Sequence, residues 1–285
     1  MAKGRPGEVL LRCVSGVNQM SAGKRLVYIT GVTGSIGRAL AQGLAGEYRL
    51  KGCSRRGEPV PGVEVAKGDV RDVEFLGRQF EGVDTVIHLA ADPSPWASWD
   101  SVLENNIDGT QKMFDAARLA GVRRVIFAST NHVTGILTER VVEMDESAPY
   151  RPDSYYGVSK VAGEALGRFY SDRYGLSVLN FRIGWYIDAA SEREVVDFFK
   201  ERKDAYPLMW LSARDCVQAH RLGIEAPDDL KFGTYYIMSN NKDMLWDMSK
   251  ARRELGYHPQ DDLSVLFEKY GLKYDFRIPR DSLGG

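Results

Sequence analysis

Short apolar runs alternate along the chain with longer stretches whose apolar residues recur at helical spacing. The runs are rich in valine, isoleucine and aromatic residues: RLVYIT (25–30), YRLKGCS (48–54), DTVIHLAA (84–91), RRVIFAST (123–130), LSVLNFRIG (176–184) and GTYYIMS (233–239). Strands that are buried on both faces have continuous apolar sequences of this kind. The alternation therefore predicts an α/β fold, a doubly wound parallel sheet with helices on both faces.

The helical stretches and the spacing of the strands divide the chain into three parts. Helices are predicted at 36–45, 99–120, 155–174, 213–225 and 248–255. Residues 24–184 are expected to form the core. Beyond residue 184 the alternation loosens, so residues 185–285 are predicted to form a small substrate-binding cap, with some elements that return to the core. Residues 1–23 have no clean period and are predicted to be a loose N-terminal extension.

Composition and charge narrow the classes of partner. The 285 residues are 44% hydrophobic and carry a formal net charge of −1, which gives no electrostatic reason to bind nucleic acid. No apolar run reaches the roughly 18 residues of a membrane span, and the N-terminus lacks the order of a secretory signal. We expect a cytoplasmic protein with no membrane partner. No cysteines, histidines or carboxylates have the spacing of metal ligands, so no metal site is predicted.

A glycine-rich loop, TGVTGSIG, follows the first predicted strand. It places Gly31, Gly34 and Gly37 at the start of a helix, and Ser35 and Ile36 lie between the last two glycines. Glycines permit a tight turn and a close approach of the backbone to a pyrophosphate, whose charge then lies at the helix N-terminus. A glycine triplet alone also occurs in simple turns. The order strand, loop, helix predicts a dinucleotide site.

The end of the second strand bears on which dinucleotide binds. Enzymes that use NAD often place an acidic residue here, against the ribose 2′-hydroxyl. The sequence CSRRGE has Arg55 and Arg56 instead, and two guanidinium groups can clamp a 2′-phosphate. We therefore expect NADP or NAD as the cofactor, with NADP favoured. The alternative is that both arginines are solvated loop residues.

Two further strand ends carry residues that suit a bound cofactor. In GDVRD, Asp69 and Val70 are placed to border an adenine. In HLAAD, the residues Leu89, Ala90 and Ala91 let the backbone lie against a ribose. Each segment is also typical of ordinary strand-end packing.

The segment YYGVSK holds a tyrosine and a lysine four positions apart, Tyr156 and Lys160, which this spacing places on one helix face. Removing a proton from a substrate hydroxyl near neutral pH requires the tyrosine pKa, normally about 10, to fall by about three units. An ammonium about 4 Å away contributes on the order of 4 kcal/mol toward that change. Thr130, at a strand end, can orient the hydroxyl. The alternative is that the pair is ordinary helix surface.

These motifs occur together in the order typical of one family. With TGxxGxxG, GDVRD, HLAA, NNIDGT, ASTNH and YxxxK in sequence, the chain resembles the extended short-chain dehydrogenase/reductases, the NAD-dependent epimerase/dehydratase superfamily. The resemblance implies a Rossmann-like core that binds the dinucleotide. It implies that Tyr156, Lys160 and Thr130 act together in catalysis and that Ile183 contacts the cofactor. It also implies a homodimer, because the long helices often pair between subunits in this family.

A narrower resemblance concerns the substrate. ASTNH, YYGVSK, FRIG, MWLSARD and LWDMSKARRELGYHPQDD are similar to segments of uronate dehydrogenases and of haloarchaeal glucose-6-phosphate dehydrogenases, which oxidise the anomeric carbon of a hexose to a lactone. Trp185 stands where some uronate enzymes have a serine. Arg202 and Lys203 lie near the expected place of an arginine that grips the uronate carboxylate. The resemblance implies a sugar site made of these residues: Ser94, Thr130, Asn131, His132, Trp185, Arg202 and Lys203.

Several residues near these motifs have less specific roles. His132 is expected to bond a sugar hydroxyl, and His88, in a buried strand, is expected to be a core histidine. Asn106 is expected to tie its helix to neighbouring backbone. Trp96 and Trp99, in PSPWASWD, either wall the sugar site or hold the start of the following helix.

Three functions compete at this point. The first is NAD(P)-dependent oxidation of the C1 hydroxyl of an anionic hexose, either a uronate or a sugar phosphate. The second is a nucleotide-sugar epimerase or dehydratase, which generally needs more than the roughly one hundred residues that follow FRIG here. The third is a non-catalytic cofactor-binding protein, although such proteins commonly lose the tyrosine or the lysine.

Overall fold

A seven-stranded parallel sheet forms the centre of the protein, which we describe from a computed structural model over residues 23–138, 143–202 and 206–276. In chain order the strands are β1 (Leu26–Thr30), β2 (Arg49–Ser54), β3 (Glu64–Lys67), β4 (Thr85–His88), β5 (Arg124–Thr130), β6 (Ser177–Ile183), β7 (Trp185–Tyr186), β8 (Trp210–Leu211) and β9 (Phe232–Ile237). The sheet order is β3-β2-β1-β4-β5-β6-β9, and β7 and β8 form a separate parallel ribbon.

Helices cover both faces of the sheet. They are α1 (Ser35–Leu44), α2 (Val73–Gln79), α3 (Trp99–Val102), α4 (Gly109–Leu119), α5 (Gly135–Thr138), α6 (Tyr155–Tyr174), α7 (Glu192–Phe199), α8 (Ala213–Glu225), α9 (Ser249–Leu255) and α10 (Leu263–Lys269). α1 packs against α8 over one face, and α4 packs against α2 and α6 over the other. Both β5 and β6 are buried at every position. The predicted Rossmann-like, doubly wound fold is confirmed.

Element boundaries differ from the prediction where side chains bond to the backbone. β4 stops at His88 instead of residue 91, since the Thr30 hydroxyl accepts hydrogen bonds from the amides of Leu89 and Ala90 at 3.2 Å each. The helix predicted at 99–120 contains a π-helical segment, Leu103–Asp108, between α3 and α4. Helices α2, α7 and α10 were not predicted, whereas α9, which has seven residues like α2 and α10, was predicted.

The residues after 184 contribute elements both to the main sheet and outside it. β9 pairs in parallel with β6, whereas β7 pairs with β8 and α7 contacts α10. The division into a core at 24–184 and a cap at 185–285 stays a prediction. The predicted N-terminal extension lies, apart from Gly23, outside the described residues. Within the described ranges, no helix combines the length and apolar character that a membrane crossing needs.

A buried cation lies at the amino ends of the strands. The side chain of Arg124, the first residue of β5, is fully buried and donates to neutral oxygens around the end of α8. Cations are favoured at a helix C-terminus, where carbonyl groups have no helical partner. Burial lowers the pKa of Arg124 to about 10, which leaves it charged at neutral pH. Its acceptors are Ser177 Oγ at 2.9 Å and the carbonyls of Gly223 (3.0 Å), Ala226 (2.6 Å), Pro227 (2.7 Å) and Leu230 (3.4 Å).

Candidate active site

A cavity of about 1730 Å³ lies at the carboxyl ends of the central strands, where ligands bind in doubly wound sheets. It extends from the glycine loop to the segments that follow β5 and β6. The structure brings most of the predicted site residues into its lining: Gly31, Gly34, Ser35, Ile36, Gly37, Arg55, Arg56, Asp69, Val70, Leu89, Ala90, Ala91, Thr130, Asn131, His132, Tyr156, Lys160, Ile183, Trp185 and Arg202. Ser94 is not in the lining, and Lys203 lies outside the described residues.

The glycine loop has the close packing that a pyrophosphate cradle requires. Gly31 adopts φ +68°, and a Cβ atom there would lie 2.9 Å from the amide nitrogen of Ala90. A Cβ atom at Gly37 would lie 2.6 Å from the carbonyl oxygen of Val32. The helix that begins after Gly34 has no side-chain cap and no acidic residue in its first turn. Its N-terminal amides therefore suit a negatively charged group, so these residues fit a dinucleotide.

The loop after β2 carries charged groups at one end of the cavity. Arg55 and Arg56 both border the cavity, and Arg56 pairs with Glu58 at 3.2 Å. On the neighbouring strand end, Asp69 forms an ion pair with Arg71 at 2.9 Å. The hydrogen bond from Arg71 holds the Asp69 pKa below its ordinary value. Asp69 thus remains an acceptor throughout the physiological range.

Tyr156 and Lys160 come from the first two turns of α6, which Ser154 caps by accepting a hydrogen bond from the amide of Gly157 at 3.1 Å. The Lys160 ammonium is buried and donates to the carbonyl of Ala128 in β5 at 2.7 Å. It lies 5.0 Å from the ring centroid of Phe127 and 5.7 Å from that of Tyr156. The α6 helix and β5 therefore hold the tyrosine, the lysine and the strand end together.

The electrostatics of this group differ from the expectation that Lys160 lowers the tyrosine pKa. Burial raises the pKa of Tyr156 to about 12, and a hydrogen bond with Thr130 opposes the rise. Burial also lowers the pKa of Lys160 to about 7, so the lysine is only partly charged near neutrality. The expectation placed a full charge about 4 Å from the tyrosine. Among the protein's own groups, desolvation outweighs that attraction.

Behind the carboxyl end of β5 lies a buried ion pair that the motifs did not reveal. Arg182 in β6 donates to both carboxylate oxygens of Glu164 in α6, at 3.0 and 2.9 Å. Ser129 donates to the same carboxylate at 2.5 Å and Tyr150 at 2.9 Å. One sequence signal could have predicted this ion pair. The apolar strand segment FRIG contains an arginine, and a buried charged side chain needs a partner of opposite charge. The ion pair connects α6 to β6, and the hydrogen bond from Ser129 connects the same carboxylate to β5, which ends at Thr130.

At the other end of the cavity, residues after β5 and β6 meet. Asn131 is buried and donates to the sulfur of Met209 at 2.9 Å. The guanidinium of Arg202 lies 4.4 Å from the ring centroid of Trp185. His132 bonds through Nδ1 to the carboxylate of Asp153 at 2.8 Å. Asp153 and Met209 also line the cavity, and sequence reasoning missed both because their partners are distant in the chain.

The two tryptophans of the segment PSPWASWD have different surroundings. Trp96 lines the cavity with 93% of its surface exposed, whereas Trp99 begins α3 and packs edge-on against Tyr155. Trp99 therefore holds the start of the following helix, and that Trp96 walls a sugar site stays a prediction. The Ser94 hydroxyl forms a local hydrogen bond, which it accepts from the Trp96 amide at 3.2 Å.

Two polar residues near the cavity are structural, as predicted. His88 is fully buried between the hydroxyls of Thr30 and Thr110, at 2.8 and 3.1 Å, and burial lowers its pKa to about 3. Asn106 bonds both backbone groups of Asp92, at 2.7 and 3.0 Å. Over the residues that the structure describes, no group of three or more histidine, cysteine or carboxylate side chains could hold a metal ion.

Comparison with known proteins supports the same assignment as the motifs. The profile of the NAD dependent epimerase/dehydratase family matches residues 27–237. An L-arabinose 1-dehydrogenase (NAD(P)(+)) from Haloferax volcanii is 40% identical over 255 residues, which are 85% of this chain and 99% of that protein. An NAD-dependent glucose-6-phosphate dehydrogenase from the same organism is 40% identical over 254 residues, 83% of this chain and 93% of that protein.

Solved structures agree with these relatives. The crystal structure of a glucuronic acid dehydrogenase from Chromohalobacter salexigens has a TM-score of 0.76 at 28% identity, and the match covers 91% of this chain and 93% of that one. The resemblance drawn from the motifs is confirmed, both for the superfamily and for its sugar-dehydrogenase relatives. The chain belongs to the NAD-dependent epimerase/dehydratase family of extended short-chain dehydrogenase/reductases.

Proposed function

We propose that this protein is an NAD(P)-dependent sugar dehydrogenase that oxidises the C1 hydroxyl of a sugar to a lactone. The observation that carries the proposal is that Thr130, Tyr156 and Lys160 line the same cavity as the glycine loop. The relatives described above are dehydrogenases of arabinose, glucose 6-phosphate and glucuronic acid. All three names denote oxidation of a small sugar.

In this proposal each of the three side chains has a defined task. Tyr156 takes the proton from the C1 hydroxyl, and Thr130 bonds that oxygen and orients it. The nicotinamide ring, when bound, accepts the hydride from C1. Lys160 has three N–H donors, one of which bonds the Ala128 carbonyl, and the others stabilise the phenolate and bind the cofactor. Because burial raises the Tyr156 pKa to about 12, turnover is expected to rise with pH above neutrality.

NADP is the preferred cofactor in the proposal, with NAD also accepted. Arg55 and Arg56 border the cavity directly after β2, where a 2′-phosphate is recognised in this architecture. Arg56 is already paired with Glu58, so Arg55 is expected to contribute more. Replacing both arginines with alanine should lower the NADP-to-NAD ratio of kcat/KM about tenfold or more. An unchanged ratio in the double variant would reject the clamp.

For the substrate we propose an anionic hexose, a uronate or a sugar phosphate. Arg202 lines the cavity beyond β6, and its guanidinium stacks on Trp185 at 4.4 Å. A guanidinium at a cavity wall can bind a carboxylate or a phosphate, because its charge and planar geometry match those anions. The neutral pentose of the arabinose dehydrogenase is the competing substrate class.

The experiment is a panel of sugars offered to the purified protein with NAD and NADP in separate wells. The panel contains glucuronate, galacturonate, glucose 6-phosphate, L-arabinose and glucose, and the absorbance of the reduced nicotinamide is followed. We expect cofactor reduction, with the lowest KM for an anionic hexose. Arg202→Ala should raise KM for anionic sugars at least tenfold and leave KM for L-arabinose within about twofold. Absence of reduction with every sugar would reject the dehydrogenase proposal.

We also propose that the protein is a cytoplasmic homodimer that pairs through α4 and α6. Both helices expose large apolar side chains, among them Leu119 at 66%, Phe169 at 52% and Tyr174 at 48%. Exposed apolar groups on neighbouring helices are typical of protein interfaces. Light scattering during size-exclusion chromatography would give twice the monomer mass, and Phe169→Glu should halve it.

A further inference from the structure

His132 and Asp153 form a side-chain pair at the cavity wall. Nδ1 of His132 lies 3.0 Å from Oδ1 and 2.8 Å from Oδ2 of Asp153, and both residues line the cavity. The two side chains keep 18% and 26% of their surface exposed. The imidazole also packs edge-on against the Tyr156 ring, with centroids 5.8 Å apart. The pair therefore adjoins the proposed catalytic base.

The surrounding backbone is shaped to keep this pair in place. A Cβ atom at Gly135 would clash with the Asp153 carboxylate. A Cβ atom at Gly157 would lie 2.6 Å from the His132 carbonyl oxygen. The Ser154 hydroxyl donates to Asp153 Oδ1 at 2.9 Å. Glycine at both positions lets the start of α6 approach the turn after β5, so the pair is a built feature.

The carboxylate determines what the imidazole can do on its cavity side. The hydrogen bond from His132 keeps the Asp153 pKa below its ordinary value against the effect of burial, so Asp153 is a carboxylate. A carboxylate only accepts, which requires the proton of a neutral imidazole to be on Nδ1. Nε2 then carries a lone pair. Over the described residues, the side-chain hydrogen bonds of His132 all run through Nδ1.

We propose that Asp153 is a positioning residue that fixes His132 as a hydrogen-bond acceptor, and that the substrate is therefore an aldose with a free hydroxyl on the carbon next to the reacting one. This inference rests on the proposed function. The contact between the His132 and Tyr156 rings lets hydroxyls on neighbouring carbons of one sugar reach both side chains. A sugar lacking that hydroxyl leaves the Nε2 lone pair unsatisfied, which lowers the affinity of the site.

The test compares sugars that differ only in the hydroxyl at C2. The pairs are glucose 6-phosphate with 2-deoxyglucose 6-phosphate, L-arabinose with 2-deoxy-L-ribose, and glucuronate with 2-deoxyglucuronate. For the pair that the wild-type protein oxidises, kcat/KM should be about 10- to 100-fold higher for the hydroxylated sugar. In Asp153→Ala the ratio should fall below about threefold through a loss with the hydroxylated sugar only. KM for the cofactor should not change.

A double-mutant cycle tests whether Asp153 acts through His132. His132→Phe should remove the discrimination, and Asp153→Ala should have no further effect on the ratio in that background. Asp172→Ala, which removes an exposed carboxylate paired with Arg168 on the same helix, is the matched control and should keep the wild-type ratio. Asp153→Val, which also removes the acceptor for His132 Nδ1–H, provides a second variant with the same expected ratio if the alanine protein is poorly folded.

The outcomes separate this inference from the proposed function. No cofactor reduction by the wild-type protein with any sugar rejects the dehydrogenase and this inference together. Turnover without preference for the hydroxylated sugar overturns the inference alone. Retained discrimination in Asp153→Ala, or an equal loss with both members of a pair, also overturns it, because a purely structural role predicts an equal loss.

Discussion

A buried cation lies at each end of β5, and the two cations differ in the hydrogen-bond acceptors around them. At the amino end, Arg124 donates to five neutral oxygens and burial leaves its pKa at about 10. At the carboxyl end, the described residues give Lys160 of α6 one hydrogen-bond acceptor, the carbonyl of Ala128, which lies two residues before the end of the strand. Burial lowers the pKa of Lys160 to about 7. The cation at the amino end thus has several protein acceptors, whereas the described residues give the cation at the carboxyl end a single one.

This difference indicates which buried charges serve stability and which serve chemistry. Oxygens that surround Arg124 replace its water, so removing the arginine takes a hydrogen-bond donor away from the carbonyls of Gly223 and Ala226. The cavity beside Lys160 leaves room for a ligand to supply the missing acceptors. A charge that the protein itself does not satisfy, located at a cavity, is typical of functional sites. The predictions below test this comparison.

The largest effect is expected from Tyr156→Phe. Loss of the phenol removes the proposed base at the carboxyl end, so kcat should fall about 10³-fold or more, while cofactor binding stays within about twofold. Sugar oxidation and cofactor fluorescence titration measure the two quantities. Normal turnover in this variant would reject the claim that the residues at the carboxyl end of β5 serve catalysis.

Arg124→Leu should produce the largest loss of stability. It removes the arginine donor from the carbonyls of the buried residues Gly223 and Ala226, so the free energy of unfolding should fall by about 3 to 5 kcal/mol. Urea unfolding measures this change, and Arg124→Lys should recover part of it. Turnover per folded molecule should remain close to that of the wild type. A lower kcat in variant protein that is fully folded would show that Arg124, at the amino end of β5, does more than stabilise the fold.

Lys160→Met should stabilise the protein near neutral pH, whereas Arg124→Leu should destabilise it. The pKa of Lys160 is about 7 in the folded protein and is near its ordinary value of 10.5 after unfolding, so the unfolded chain binds the extra proton between those values. Wild-type stability from this residue therefore rises with pH from about 7 to 10.5. At pH 7 the buried charge costs on the order of 4 kcal/mol, and loss of the hydrogen bond to the Ala128 carbonyl offsets part of the gain from removing it. The variant should therefore be more stable by about 2 kcal/mol at pH 7, and at pH 10 the gain should be lost completely. Urea titrations at both pH values measure the gain, and turnover should be lost.

Trp96→Ala should have the smallest effect. Trp96 is 93% exposed, so the free energy of unfolding should change by less than about 0.5 kcal/mol. Because it lines the cavity, KM for the sugar should rise about threefold with kcat unchanged. Steady-state kinetics and thermal unfolding measure both. A large change in the unfolding temperature would mean that the exposed tryptophan supports the fold.

The sequence was sufficient for the fold class and for most of the cavity lining. Buried strands such as 123–130 and the helix at 155–174 have a clear period, and parallel strands bring their carboxyl ends to one edge. Residues at those ends, such as Thr130, therefore had to meet the glycine loop. Ser94 departs from this rule because its hydroxyl bonds the Trp96 amide within its own turn.

Other features depend on residues that are distant in the chain, and only the tertiary structure decides them. The sequence determined the order of strands and helices and the placement of Tyr156 and Lys160 on one helix face, because these are local properties of spacing. It did not determine that Asp153 faces His132, that Glu164 faces Arg182, or how each buried cation is solvated. Those contacts form only when folding brings distant residues together and excludes water from between them. The pKa of each buried charge then depends on how many protein acceptors surround it.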